Sequence, residues 1–415
     1  MGQFATQIKV AKNRKEANMK NKIGVSVKES LVIQNIGPLK NVVIPEVKPI
    51  TVFIGESASG KSCLLKITAL FRYLFKVATV RAWLKSAGIK KSPFKIHAAT
   101  YWRKCGLADM ISKESYVQFS VEINGNKYTL EYKNGVMYLP VKMDVATLEY
   151  FKVAYISEYR NVISTWTENS LKQSTDKLGF YFSETLSDFI DGTIHEKEIY
   201  IPYFDVYLIV TKGRFGEIKY RIRNKLNTYN IKFQDSASGI QSSAPIIAIL
   251  DYLGKKFDFK EAFNRSIFSY ITKEGNLMEF KPITDINNVL KWVHYHIEEP
   301  ELGLFPKSQY NLLQHVIASI FAPNLEVSQT LMFTTHSPYI ITYLNCIIQQ
   351  SITQKSDDST PLIPSKSIAA FIVENGKARD LIDVETGLID AEAIDDASVE
   401  INDIFDRLLR KDANS

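Results

Sequence analysis

Residues 55–62 read Gly55-Glu56-Ser57-Ala58-Ser59-Gly60-Lys61-Ser62, a full match to G-x-x-x-x-G-K-[ST]. The five residues before them, Ile50-Thr51-Val52-Phe53-Ile54, are β-branched or apolar and read as a short buried strand. Behind them Leu64, Ile67, Phe71 and Leu74 recur at helical spacing. Strand, glycine loop and helix in that order make an anion site. Small residues let backbone N–H groups turn inward, and the helix presents its positive end. In such a loop Lys61 reaches the β- and γ-phosphates of a nucleotide, and the Ser62 hydroxyl meets Mg²⁺. A plain glycine turn before a helix is the alternative; the flanking strand and helix weigh against it.

The 415 residues allow two to three domains, or one large domain with an inserted lobe. A hydrophobic share of 45% and a charged share of 23% are those of a globular protein with a sizeable core. No apolar run approaches the roughly 18 residues of a membrane span, so no membrane partner is expected. The three cysteines, Cys63, Cys105 and Cys346, lie far apart, which argues for a reducing, cytoplasmic setting and against a disulfide framework. A net charge of +6 permits contact with nucleic acid without demanding it.

Residues 1–24 form a basic arm. Ordered structure begins near Val25, with two strands turning at Gly37-Pro38. A helix over 62–78 runs into a basic, aromatic stretch from Arg81 to Lys104. Its aromatics, Trp83, Tyr101 and Trp102, fit core packing better than a single-strand nucleic-acid platform. Val117–Leu139 alternates around Asn124-Gly125 and Asn134-Gly135, a hairpin pattern. Phe151–Ile156 is a core strand that runs into Ser157-Glu158-Tyr159-Arg160. Residues 161–235 are mixed, with strands expected over Ile199–Val210 and Lys219–Ile222. Asp235–Ser243 is small and polar ahead of an apolar helix over 244–253, a second candidate anion-facing helix start.

Val293–Ile297 alternates into Glu298-Glu299-Pro300-Glu301, placing carboxylates at a strand end. His294 and His296 share one strand face, and packing suits them better than a metal because no third ligand is near. A helix opens at Pro306. The strand Leu331–Thr335 ends at His336-Ser337-Pro338. A hairpin is expected around Asn375-Gly376, then a tail helix over 397–411. Residues 380–415 hold eleven acids and three bases, and they read as a solvated acidic face suited to a basic partner.

Four motifs therefore stand in order: Gly55–Ser62, Ser236–Gln241, Ile297–Glu301 and Thr334–Pro338. The set resembles the ABC-type ATPase superfamily, and most closely the bacterial AAA-annotated branch related to OLD, RecF and SMC proteins. That branch includes ATPases of anti-phage systems such as Septu and PARIS. The most specific match is Glu298–Pro306 followed by Thr334–Pro338.

The resemblance covers roughly residues 25–375 and implies an α/β fold. The implied fold is a P-loop NTPase of ABC-ATPase type, with a RecA-like core sheet, an antiparallel β subdomain and an inserted mixed lobe. The expected units are 1–24 (arm), 25–160 (front of the head), 161–290 (inserted lobe), 291–379 (back of the head) and 380–415 (acidic tail). ATP and Mg²⁺ are the implied ligands. Gly55, Glu56, Ser57, Ala58, Ser59, Gly60, Lys61, Ser62 and Cys63 would hold the nucleotide, as would the signature residues Ser238, Gly239 and Gln241. Ser62 and Glu298 would hold the metal, Glu299 would orient water, and His336 would sense the γ-phosphate. Glu158–Arg160 lies where the family carries a glutamine, and there is none. The resemblance further implies a head-to-tail homodimer or higher homo-oligomer, and a defence ATPase that controls a separate nuclease or toxin. A DNA-repair or chromosome clamp is the alternative.

Overall fold

A computed structural model describes residues 27–86, 96–140, 142–144, 149–168, 179–214, 217–274, 290–322, 327–353, 363 and 366–390. The basic arm, most of the acidic tail with its expected helix, and residues 275–289 lie outside these. Strands β1 (Val27–Ile36) and β2 (Leu39–Val47) form an antiparallel pair. Strand β3 (Ile50–Ile54) leads through the glycine loop into α1 (Lys61–Ser86), and α2 (Ala98–Lys104) follows. Then come β4 (Ile111–Ile123), β5 (Asn126–Lys133), β6 (Val136–Tyr138), β7 (Glu149–Ile156), α3 (Ile163–Glu168) and α4 (Phe180–Thr193). Strands β8 (Glu198–Ile201), β9 (Val206–Lys212), β10 (Ile218–Asn224) and β11 (Asn230–Lys232) precede α5 (Ser238–Lys255) and α6 (Phe259–Glu274). The last elements are β12 (Leu290–Glu298), α7 (Pro306–Ile320), β13 (Ser328–Thr335), α8 (Pro338–Thr353), β14 (Ile368–Glu374) and β15 (Lys377–Asp380).

The strands make three sheets among the described residues: β2-β1-β4-β5-β6, β11-β10-β9-β8, and a central β15-β14-β3-β13-β12-β7. The central sheet is parallel except for the edge strand β15. Its alternation divides the core in two. Ile50, Val52, Ile54, Val293, Tyr295, Ile297, Leu331 and Phe333 face α4, α5, α7 and α8. Phe53, Phe151, Tyr155 and Met332 face α1 and the five-stranded sheet. Register aligns the carboxyl ends: Thr335 pairs with Ile54, Glu298 with Thr334 and Ile297 with Ile156. The loops after four neighbouring strands therefore open on one edge, where ligands collect in parallel α/β sheets.

The turns follow their sequence. Asn124-Gly125, Asn134-Gly135 and Asn375-Gly376 all have positive φ at both positions, as tight hairpins require. The strand expected over 199–210 is two strands. Pro202, which cannot donate to a ladder, opens a 3₁₀ turn that ends at Asp205 with φ +53°. Helix α1 runs eight residues beyond the expected end, and its Trp83 meets the edge of Phe263. Trp102 is buried against Phe71 and Tyr132 and Tyr101 lies against Tyr73, so Trp83, Tyr101 and Trp102 serve packing. Helix α5 begins at Ser238 rather than 244; Pro245 sits inside it. No described helix is long and apolar enough to cross a membrane.

Candidate active site

The glycine loop needs its glycines. Gly55 has φ +142°, and a Cβ there would lie 2.6 Å from the Val373 carbonyl oxygen of β14. Gly60 has φ +108°, and a Cβ there would lie 2.7 Å from Leu39 Cδ2. The first turn of α1 carries no acid to oppose an anion. Lys61 is only 4% exposed, and its Nζ donates to the Gly55 and Glu56 carbonyls at 2.8 and 2.6 Å. Burial pushes its pKa down to about 8, against the nearby charges of Glu299, Glu301 and Glu56. Ser62 is half-buried on the first turn, and Glu56, Ser57 and Ala58 are exposed. Cys63 turns into the core, where burial pushes its thiol up to about 12; only its backbone is available to a nucleotide.

Strand β12 delivers the carboxylates. Glu298 is fully buried; its Oε2 accepts from the Glu158 N–H at 3.1 Å, and Lys66 Nζ stands 3.5 Å from Oε1. Glu299 has φ +41°, and its N–H donates to the Thr334 carbonyl at 3.1 Å. Its carboxylate lies 3.3 Å from His336 Nε2. The hydrogen bond from His336 is the main reason its pKa lies below the usual carboxylate range. The His336, Lys61 and Arg160 charges add to this, and burial opposes it. Glu301 fastens the following turn: its Oε1 accepts from Thr335 Oγ1 at 2.8 Å and from the His336 N–H at 2.7 Å.

The signature residues lie against this turn. A Cβ on Gly239 would come within 2.9 Å of Leu304 Cδ2 and 3.0 Å of the Gly303 carbonyl oxygen. Ser238 is exposed at the N-terminus of α5. Gln241 turns inward. Its Nε2 donates to the Gln234 and Ser236 carbonyls at 2.9 and 2.7 Å, and its Oε1 accepts from Ser164 Oγ at 2.8 Å. These bonds brace the signature loop. Among the described residues, no hydrogen bond joins Ser238, Gly239 or Gln241 to the chain's own glycine loop.

The donor set fits a magnesium nucleotide. Ser59 Oγ is a buried loop oxygen without a hydrogen-bond partner, and Glu298 Oε1, on the carboxylate expected to hold metal, is a buried oxygen with only the Lys66 ammonium 3.5 Å away. The strand histidines belong elsewhere. Arg72 donates to His296 Nε2 at 3.1 Å, which leaves Nδ1–H to face the Ala154 carbonyl at 3.2 Å. Burial and the Arg72 charge keep His296 neutral, its pKa well below the usual value. His294 pairs with Thr330 Oγ1 at 2.8 Å and stacks on Trp292. Arg160 and Glu301 stand in stretches that the sequence marks but without a role of their own, and Lys66 carries no sequence signal; a charged residue just past a core strand was the available signal for Arg160.

The parallel central sheet, the glycine loop between β3 and α1, and the loops at one sheet edge make this an α/β P-loop fold. No protein-family model and no curated protein matches the chain. Solved structures align along most of it. The Smc head bound to the C-terminal winged-helix domain of ScpA is 12% identical, covering 86% of this chain and 98% of that one at a TM-score of 0.39. The recombination mediator RecF with ATPrS is 11% identical, with 86% and 98% covered and a TM-score of 0.35. A dimeric ATP-binding cassette bound to ADP and Pi is 9% identical, with 84% and 97% covered and a TM-score of 0.30.

Proposed function

We propose that the chain binds ATP with Mg²⁺ at Gly55–Ser62 and hydrolyses it. The observation that carries this reading is the convergence of Lys61, Glu298, Glu299 and His336 on one edge of three adjacent parallel strands, with Glu299 3.3 Å from His336. Bound Mg²⁺ would neutralise charge between the phosphates. Lys61 exchanges its two carbonyl bonds for phosphate oxygens, Glu299 orients the attacking water as a carboxylate, and His336 fixes that carboxylate. Lys61→Ala should lose nucleotide binding. Glu299→Gln should keep binding and lose turnover by roughly 10²-fold or more. Wild-type turnover by purified Glu299→Gln refutes the assignment.

The exposed Ser238 beside Gly239 suits capping of a nucleotide on a second copy, so the active form is a head-to-tail dimer. The Glu298–Pro306 and Thr334–Pro338 boxes support a defence ATPase that gates a separate effector. On this reading the chain with Mg²⁺ or Mn²⁺ cleaves neither DNA nor RNA alone, and a nuclease or toxin gene neighbours its own. Metal-dependent cleavage by the purified chain, or a permease gene as partner, overturns it.

A further inference from the structure

The segment after β7 holds no glutamine, yet it enters the site through Arg160. This guanidinium is 0% exposed. Its Nε donates to the Ser242 carbonyl at 2.9 Å. One terminal nitrogen donates to the carbonyls of Ser157 at 3.2 Å and Glu298 at 2.7 Å, and the other donates to the Glu299 carbonyl at 2.6 Å. Three parts of the chain meet in one planar fork: the end of β7, the second turn of α5, and both carboxylate-bearing residues at the end of β12.

Among the described residues, no carboxylate is hydrogen-bonded to Arg160. Carbonyl dipoles solvate the buried cation, and Glu301, Glu298, Glu299 and Glu158 supply counter-charge from nearby. Burial lowers its pKa to about 10, which leaves it charged at neutral pH. The grip on Glu299 also has a conformational use. Glu299 stands at φ +41°, a region that non-glycine residues occupy only when their surroundings hold them there. The Arg160 bond to its carbonyl and the bond from its own N–H to Thr334 fix the peptide on both sides.

We propose that Arg160 is a positioning residue that sets Glu299 and ties it to the signature helix α5. Movement of Ser238–Ser242 as a partner closes is then transmitted to the water-orienting carboxylate. The proposal rests on the hydrolytic reading above. A lysine keeps the charge but has no planar fork with which to hold four carbonyls in three elements.

The test is steady-state ATP hydrolysis by Arg160→Lys, alone and combined with Glu299→Gln, with nucleotide affinity measured on each protein. A nucleotide-induced rise in melting temperature serves as the check on folding. Arg160→Lys should lower kcat by about 10²-fold, the scale of a roughly 1 Å misplacement. Its nucleotide affinity should stay within about threefold, and it should add nothing to the loss in the Glu299→Gln background. Wild-type kcat in Arg160→Lys overturns the proposal, as does nucleotide affinity falling in step with kcat. So does a further loss in the double variant. Wild-type turnover in Glu299→Gln alone would instead overturn the hydrolytic reading.

Discussion

The buried Lys61 makes nucleotide affinity depend on pH in a window where phosphates no longer titrate. Its pKa is pushed down to about 8, and only the ammonium can bridge phosphate oxygens. With that value, about 90% of the side chain is charged at pH 7 and about 10% at pH 9. If the bound state requires the charged form, the apparent Kd for ATP rises about tenfold between those pH values. Titration with a fluorescent ATP analogue at fixed ionic strength and saturating Mg²⁺ reads this directly. Lys61→Arg is the control: its guanidinium stays charged past pH 12, so its weaker affinity should be flat over the same range. Without nucleotide the sign reverses. The folded pKa lies below the lysine value of 10.5, so the unfolded chain binds more protons between about 8 and 10.5, and this group's contribution to stability rises with pH there. A wild-type Kd that is unchanged up to pH 9.5, or an equal rise in Lys61→Arg, refutes the argument.

Three further outcomes follow from particular contacts. Gly55→Ala places a methyl 2.6 Å from a backbone oxygen at φ +142°. It should cost about 1–3 kcal/mol in denaturant unfolding and abolish nucleotide-induced stabilisation; an unchanged midpoint contradicts this. Ser238→Arg in the Glu299→Gln background should block ATP-dependent dimerisation in light scattering while leaving nucleotide affinity as it was. Equal dimerisation with and without the arginine rejects the shared site. Glu29→Ala removes the carboxylate that pairs with the buried Arg72 through two of its nitrogens. Chemical unfolding should register a loss of about 3–5 kcal/mol, and a loss below about 1 kcal/mol would show Arg72 compensated elsewhere.

The strand, loop and helix at 50–62 were legible because their information is local: β-branched residues, two obligatory glycines and a helical apolar repeat. The three Asn-Gly turns were legible for the same reason. Glu298, Glu299 and His336 could be placed because each follows an apolar run that ends abruptly on a charged or polar group. Pairings between distant segments were not legible. Nothing in Ile50–Ile54 says that it lies between β13 and β14. The split at Pro202 was readable in principle, since a proline inside a strand pattern marks a break. The start of α5 was obscured by Pro245, which suits a first helical turn yet sits inside the helix. Side-chain direction was hardest to read: Gln241 and Arg160 are both polar residues beside motifs, and only packing shows that both turn inward.

The place of β3 in the central sheet has a consequence for synthesis. Its two neighbours, β13 and β14, come from residues 328–335 and 368–374. The phosphate-loop strand leaves the ribosome about 270 residues before its first partner. At about 5–20 residues per second that is a wait on the order of tens of seconds. Throughout it, an apolar strand with bare edges is open to pairing with other chains. The five-stranded sheet, complete at Tyr138, and α1 are available much earlier to shield one face of that strand. Nascent chains that stop short of Ser328 therefore carry the whole glycine loop but no sheet to hold it, and they are natural clients for chaperones and proteases.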